Sequence, residues 1–306
     1  MSPVGASATG TAWFLNGVAN LQQQQLQTQK QISSGYRIQD ASDSPSQTPA
    51  LINLSSTLAA VQTYQSNLGT IQTEARAADG ALGSGISLIQ SAITTGEQGA
   101  NSISTTATDQ TLAAQIQSIQ QQLVGIANTS VGGRYIFGGD LDQSAPYDYS
   151  AGAGVTSLTN PAATRVVVDT QGQPVFQSLT AQQIFGPVDA AGAPMAGSTF
   201  AALQSLVTAL NAGDQPGITN ALTSLQTAAT YVNQQQVYYG VAEQRITSEQ
   251  NTAANQVTSL QTSIGAIRDT NITQAATELT QETATQSANY GAEAEISKKS
   301  LFDYLG

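Results

Sequence analysis

The sequence predicts a mainly α fold: a long antiparallel coiled-coil-like helical rod formed by both chain ends, with a small β-rich central insert. Three observations carry this reading. Apolar residues recur at a helical period in both halves of the 306-residue chain. That period vanishes from Gly132 to about Ser198, where glycine, proline and strand-like runs take over. Charged residues make up only 9% of the chain, against roughly 25% in an ordinary soluble domain, and uncharged polar residues, 39 of them glutamine, stand in their place.

Taken in order, Trp13–Ile32 reads as a glutamine-rich helix carrying Leu15, Val18, Leu21 and Leu26. Met1–Gly10 reads as a mobile lead-in. It lacks the basic start and long apolar core of a secretory signal. From Leu51 to Ile93 the apolar positions advance in steps of three and four, twelve steps over 42 residues, the 3.5-residue coiled-coil period. At about 1.5 Å per residue this is a helix of roughly 60 Å. Ser42, Asp43 and Ser44 are candidate N-caps, with Pro45 in the first turn. Gly80, Gly83 and Gly85 interrupt the helical propensity but not the phase, so they predict close helix–helix contact rather than a break. After a link at Gly96–Thr108, a second helix carries Leu112, Ile116, Ile119, Leu123 and Ile126, with Asp109 suited to its first turn. The short link predicts that it folds back on the first.

Strand-like runs in the insert are Tyr135–Phe137, Arg165–Val168 and Val175–Phe176. Helical period resumes with Phe200, Leu203, Leu206 and Leu210, closed by the turn Asn211–Asp214. A long helix from near Pro216 to about Ile267 follows, with a further helical stretch to the C-terminus. Leu68 and Leu260 both lie on the apolar stripes and are expected to be buried. Residues 140–198, lacking helical period, are expected to be dispensable for the rod.

The inventory excludes much chemistry. With no His and no Cys there is no imidazole base, no thiolate and no N/S ligand set. A net charge of −11 argues against nucleic acid, which needs a basic stripe. No run of 18 apolar residues occurs, so no membrane-spanning helix is expected. Asp40 and Asp43 could be paired carboxylates but fit turn and cap chemistry better. Asp140-x-Asp142-x-Ser144 opens like a calcium loop, yet Ala145 and Ala151 occupy its required Gly and Glu positions, leaving solvated loop acids. Gly80-x-x-Gly83-x-Gly85 and Gly132–Gly139 lack the phosphate-loop pattern; the second reads as a strand entry with tight turns. Lys298 and Lys299 suit a helix C-terminus. The chain is therefore expected to be no enzyme, with no catalytic, cofactor-binding or metal residues and no cofactor.

Gln31-Ile-Ser-Ser-Gly-Tyr-Arg-Ile38, followed by Ala41-Ser-Asp-Ser-Pro45, resembles the N-terminal signature of the bacterial flagellin family. Ser44 replaces the signature's second acid. Ala127–Gly139 and the C-terminal stretches Ala275–Leu279 and Lys299–Leu305 are similar to the hook-associated branch of that family, which joins hook to filament. Ser91 and Ile93 stand where flagellins carry arginines read by innate immune receptors, so that property is not carried over.

The resemblance implies a structural subunit of the flagellum. In it, residues 1–45 and 269–306 would be axial segments, 46–139 and 200–268 the two halves of the rod, and 140–199 an outer insert. It implies type III export to an extracellular appendage and self-assembly. The partners would be a hook-side junction protein, flagellin and an export chaperone, with neither nucleic acid nor membrane insertion. A filament flagellin is the alternative within the family. An intracellular coiled-coil adaptor or chaperone would explain the helices but not the motifs, and a hydrolase acting from the insert has no base to use.

Overall fold

The structure, a computed structural model, describes residues 4–101, 105–151, 154–169 and 172–305, with backbone alone for 4–11 and 295–305. Its helices are α1 (Val4–Ser34), α2 (Thr48–Gly99), α3 (Thr106–Ala127), α4 (Ala181–Phe185), α5 (Thr199–Ala212), α6 (Gln215–Arg268) and α7 (Ile272–Leu305). Between α3 and α4 lie β1 (Ser130–Val131), β2 (Arg134–Tyr135), β3 (Tyr147–Ser150), β4 (Gly154–Ser157), β5 (Val166–Val168) and β6 (Pro174–Gln177). They form three two-stranded antiparallel pairs, β1–β2, β3–β4 and β5–β6. The chain divides into two compact units, residues 61–255 and residues 1–60 with 256–306; α2 and α6 contribute to both. Helix begins at Val4, inside the stretch expected to be a mobile lead-in; Met1–Pro3 lie outside the described residues.

In the larger unit, 61–255, α2 and α6 run antiparallel. The Gln72 amide donates to Thr247 Oγ1 at 3.3 Å and Arg76 pairs with Glu243 at 3.9 Å. A Cβ on Gly83 would meet Gln236 Nε2 at 3.2 Å. The stripe read from the sequence is the buried one: Leu68, Ile71, Ala75, Ala78, Leu82, Ile86 and Ile89 all lie in the core. The helix passes unbroken through Gly80–Gly85. Gly85 is close-packed, since a Cβ there would stand 3.3 Å from Leu123 Cδ1, whereas Gly80 faces open space.

One close helical approach falls where the sequence reading placed a link. α2 continues to Gly99, and a Cβ on Gly96 would lie 2.7 Å from Leu222 Cδ2 and 2.9 Å from Leu206 Cδ2. The side chain missing at Gly96 lets α2 meet α5 and α6 together. α3 then starts at Thr106, where the Thr105 hydroxyl accepts the Thr108 N–H. α5 ends on Gly213, whose left-handed conformation (φ 62°) closes the helix, as such caps do.

The insert is better organised than its strand-like runs predicted. Gly132 and Gly133, at φ 60° and 79°, make the two-residue β1–β2 turn, a conformation that glycine adopts without strain. The β3–β4 pair and α4, with its Thr180/Gln183 capping box, were not legible beforehand. Phe137, Tyr147, Val155, Phe176, Ile184 and Phe185 are buried in the same core as the helices. The Tyr147 and Phe200 rings lie 4.9 Å apart, and Phe185 lies 5.5 Å from Phe200. Tyr239 of α6 accepts the Leu179 N–H at 3.1 Å, and burial pushes its hydroxyl pKa well above the ordinary tyrosine range. Arg165 forms an ion pair with the buried Glu74 of α2. Removing 140–198, expected from the sequence to be dispensable for the rod, would take its buried side chains out of the core that the helices share with them.

Many hydroxyls on these helices are turned inward on their own backbone. Along α2, Ser84, Ser87, Ser91, Thr94 and Thr95 each donate to the carbonyl four residues earlier, at 2.8 to 3.1 Å. Thr219, Thr223 and Thr227 do the same on α6.

Two comparisons test this packing. Gly80→Ala and Gly96→Ala gain the same helix propensity, about 1 kcal/mol, but only the second overpacks. Denaturant unfolding should place Gly96→Ala about 1–3 kcal/mol below Gly80→Ala. Leu68 is fully buried, so Leu68→Ala should cost about 2–5 kcal/mol. Leu260, expected to be equally buried, is half-exposed, and Leu260→Ala should cost clearly less in the same assay.

Candidate functional site

The smaller unit, 1–60 with 256–306, is built on the pair α1–α7. They are antiparallel: the Gln25 amide donates to Gln286 at 3.2 Å, Thr28 donates to Glu282 at 3.3 Å, and the Phe14 and Tyr290 rings stand 6.4 Å apart, edge to face. Among its described side chains Val18, Thr28, Ile38, Ile264 and Ala275 are buried, which is a thin seam rather than a core. Large apolar side chains remain outside it. Trp13 is 80% exposed, Leu26 65% and Ile52 62%. From Val4 to Gln29 α1 has no charged residue. Ala41, Pro45, Thr48, Pro49, Ile52 and Asn53 line an open groove of about 450 Å³ in this unit. The apolar tip Leu301–Leu305 and Lys298–Lys299 lie outside the described side chains.

The Ser-Ser-Gly-Tyr-Arg-Ile run is a clasp. Gly35, at φ 76°, ends α1 and turns the chain so that Arg37 and Ile38 both donate their backbone N–H to the Arg268 carbonyl, at 2.7 and 3.2 Å. Thr270 returns a bond to the Gly35 carbonyl at 2.9 Å. The Arg37 guanidinium donates to the Ile267 carbonyl at 2.6 Å and to Gln47 Oε1 at 2.8 Å, while the Arg268 guanidinium lies 4.1 Å over the Tyr36 ring. The motif therefore ties the α1–α2 connection to the α6–α7 corner. The sequence reading placed a break in the helix here, after Ile267, but not the bonds that Arg268–Asn271 makes to the clasp. The break's signal was the polar Asp-Thr-Asn step after the last stripe residue, Ile267, where Asn271 Oδ1 caps α7 by accepting the Gln274 N–H at 3.2 Å.

Asp43 does not cap α2. Its carboxylate accepts the N–H groups of Gln39 and Asp40, both at 2.9 Å, because the chain makes one more turn before helix starts at Thr48. Pro49, not Pro45, occupies the first helical turn. The Asp40 and then the Gln39 N–H bonds hold the Asp43 carboxyl below the ordinary aspartate range. Its ordering of the loop is thus present above the unfolded-state pKa and is lost as pH falls through the folded one. Asp40 pairs with Lys30 at 3.1 Å.

In the larger unit, Asp140 is exposed as expected, but Asp142 is not a free loop acid. It accepts from Gln143 at 2.9 Å and from Arg134 Nε at 2.7 Å, and these donors, Gln143 first, lower its pKa. Hairpin β1–β2 brings Arg134 to it. Among the described residues no three His, Cys, Asp or Glu side chains are grouped to hold a metal, and no helix is long and apolar enough to cross a membrane.

Paired helices from both chain ends, a clasp joining their two connections, and a small β insert make up the fold. Residues 11–141 match the bacterial flagellin N-terminal helical region. The chain is similar to flagellar hook-associated protein 3 of Salmonella typhimurium, 28% identical over 184 residues, covering 56% of this chain and 56% of the relative. It is 27% identical over 202 residues to the protein of that name in Escherichia coli, covering 64% and 63%. The chain thus spans between half and two thirds of the length of these curated relatives. Its fold is like that of a hook-associated protein from Vibrio parahaemolyticus, with a TM-score of 0.64 at 18% identity over 74% of this chain and all of that one.

Arg37→Ala should loosen the clasp by about 1.5–3 kcal/mol, the usual range for a hydrogen bond to a charged group. Amide exchange should quicken at Arg37, Ile38 and Thr270 while the core amides near Leu68 are unaffected. Arg37→Lys should restore only part of the protection, since an ammonium cannot span both acceptors as the planar fork does.

Proposed function

We propose that this chain is a structural subunit of the bacterial flagellum, placed at the junction between hook and filament and supporting motility. One observation carries the reading. The smaller unit, which bears the flagellin signature, leaves Trp13 and Leu26 of α1 and Ile52 of α2 in solvent, and exposed apolar groups of that kind mark surfaces made for association. The hook-associated relatives and the clasp formed by the signature residues support the same reading.

In this role residues 1–45 and 269–306 are axial segments, 46–139 and 200–268 form the two halves of the helical rod, and 140–199 faces outward. The protein leaves the cell by the flagellar type III route and joins copies of itself, a hook-side junction protein and flagellin. Before export a chaperone covers its apolar ends. Its work is mechanical: no bond is made or broken, and neither nucleic acid nor lipid is a partner.

Deleting the gene in its host should leave hooks without filaments and release flagellin into the medium. Immunogold labelling of sheared appendages should place the protein in one narrow band at the hook end. Label along the whole filament would instead make it a flagellin, and motility unchanged by the deletion would defeat both readings.

A further inference from the structure

Four charged side chains from four stretches of the larger unit line one recess. Glu74 comes from α2, Arg134 from β2, Asp142 from the loop between β2 and β3, and Arg165 from the step into β5. Arg165 pairs with Glu74, and Arg134 donates through Nε to Asp142 at 2.7 Å. Glu74 is 8% exposed, and Ser178, which closes the group, 6%. The Ser178 hydroxyl accepts the Arg165 backbone N–H at 3.1 Å.

The recess among these five residues has a volume of about 10 Å³, the room that about one water molecule takes. One polar atom of the group lacks a partner. Arg165 Nε is buried and meets no acceptor among the described residues, while its Nη2 is spent on Glu74. A buried N–H without an acceptor bears the full desolvation of the group, and burial already pushes the Arg165 pKa down. Native proteins rarely leave such a donor unmet. An ordered water is the usual partner where no protein acceptor reaches it.

Charge decides what the recess takes. Its two guanidiniums and two carboxylates sum to zero. A chloride there would face Glu74 and Asp142, and a metal cation would face Arg134 and Arg165. A neutral molecule that both donates and accepts suits all four, and water is the one that fits the volume. It accepts the Arg165 Nε–H and keeps two protons for the carboxylates, whose oxygens retain lone pairs after pairing with an arginine.

We propose that the recess is a binding site for a single ordered water, which joins Arg165 to the Asp142 carboxylate and so fuses the two ion pairs into one network that seats the β-rich insert on α2. The β1–β2 hairpin and β5 are then held to α2 together rather than one by one.

In the full chain, the Arg165 Nε–H proton should show a nuclear Overhauser contact at the water frequency, with the sign that marks a held water rather than passing solvent. Its resonance should not move when chloride is exchanged for sulfate. Amide exchange reads the coupling between the pairs. The Tyr135 N–H donates to the Asp142 carbonyl at 2.8 Å, and the Ser178 N–H to the Arg165 carbonyl at 2.9 Å. Arg165→Lys keeps a cation for Glu74 but has no Nε–H, and it should quicken exchange at Tyr135 about threefold or more. Asp142→Asn should do the same at Ser178, with the amides near Leu68 unchanged in both. No held water at the wild-type Arg165 Nε–H would overturn the site, whether or not either variant folds. A resonance that moves with chloride would make the ligand an anion and overturn it too. Variants that each loosen only their own strand would leave two independent pairs and overturn the network.

Discussion

The larger unit depends on one constraint, that α2 and α6 must run antiparallel close enough to exclude water along a single stripe. Neither helix can bury its apolar row alone. Long helices of modest amphipathicity owe their stability to packing rather than propensity, so losing the seam would cost the helices themselves. Gly96 fixes how near α2 comes to Leu206 and Leu222. From that contact follow the placement of α5 and, through Phe200, the seat of Tyr147 and Phe185.

The helices were legible because their signal is periodic and long. A stripe sustained over 42 residues survives local noise such as the glycines at 80, 83 and 85. The ends of helices were less legible, because the deciding bonds are local and carry no period. Asp43 was read as a helix cap, but the Gln39 and Asp40 amides claim it first. Gly96 and Gly99 fell in the stretch read as a link, because sequence alone does not reveal that Leu222 and Leu210 crowd the place a side chain would take. The insert was the hardest part. Its strands are two to four residues long, too short for alternation to register, and tertiary contacts with Phe200 and Tyr239 hold them. The motif Ser-Ser-Gly-Tyr-Arg-Ile was recognisable as a pattern, but its physical purpose was hidden, since its partners at Ile267–Thr270 lie some 230 residues away in the chain.

The two units differ in kind, and the difference suits the role proposed for them. The larger holds the aromatic core and most of the negative charge. The smaller has a thin seam, a clasp made largely of backbone hydrogen bonds, and apolar side chains left in solvent. A unit of that sort gains more from neighbours than it can supply for itself, and association is where its stability would be completed.

The inward-turned hydroxyls of α2 and α6 have a further consequence. A serine or threonine that donates to its own helix has already met its strictest demand, so removing water from around it strands no donor. Such a surface is indifferent to its medium. Covering it by another protein leaves fewer unpaired donors than covering a helix whose polar side chains all bond to water. A helix covered this way exchanges one environment for the other without the desolvation barrier that a lysine- and glutamate-rich helix would face.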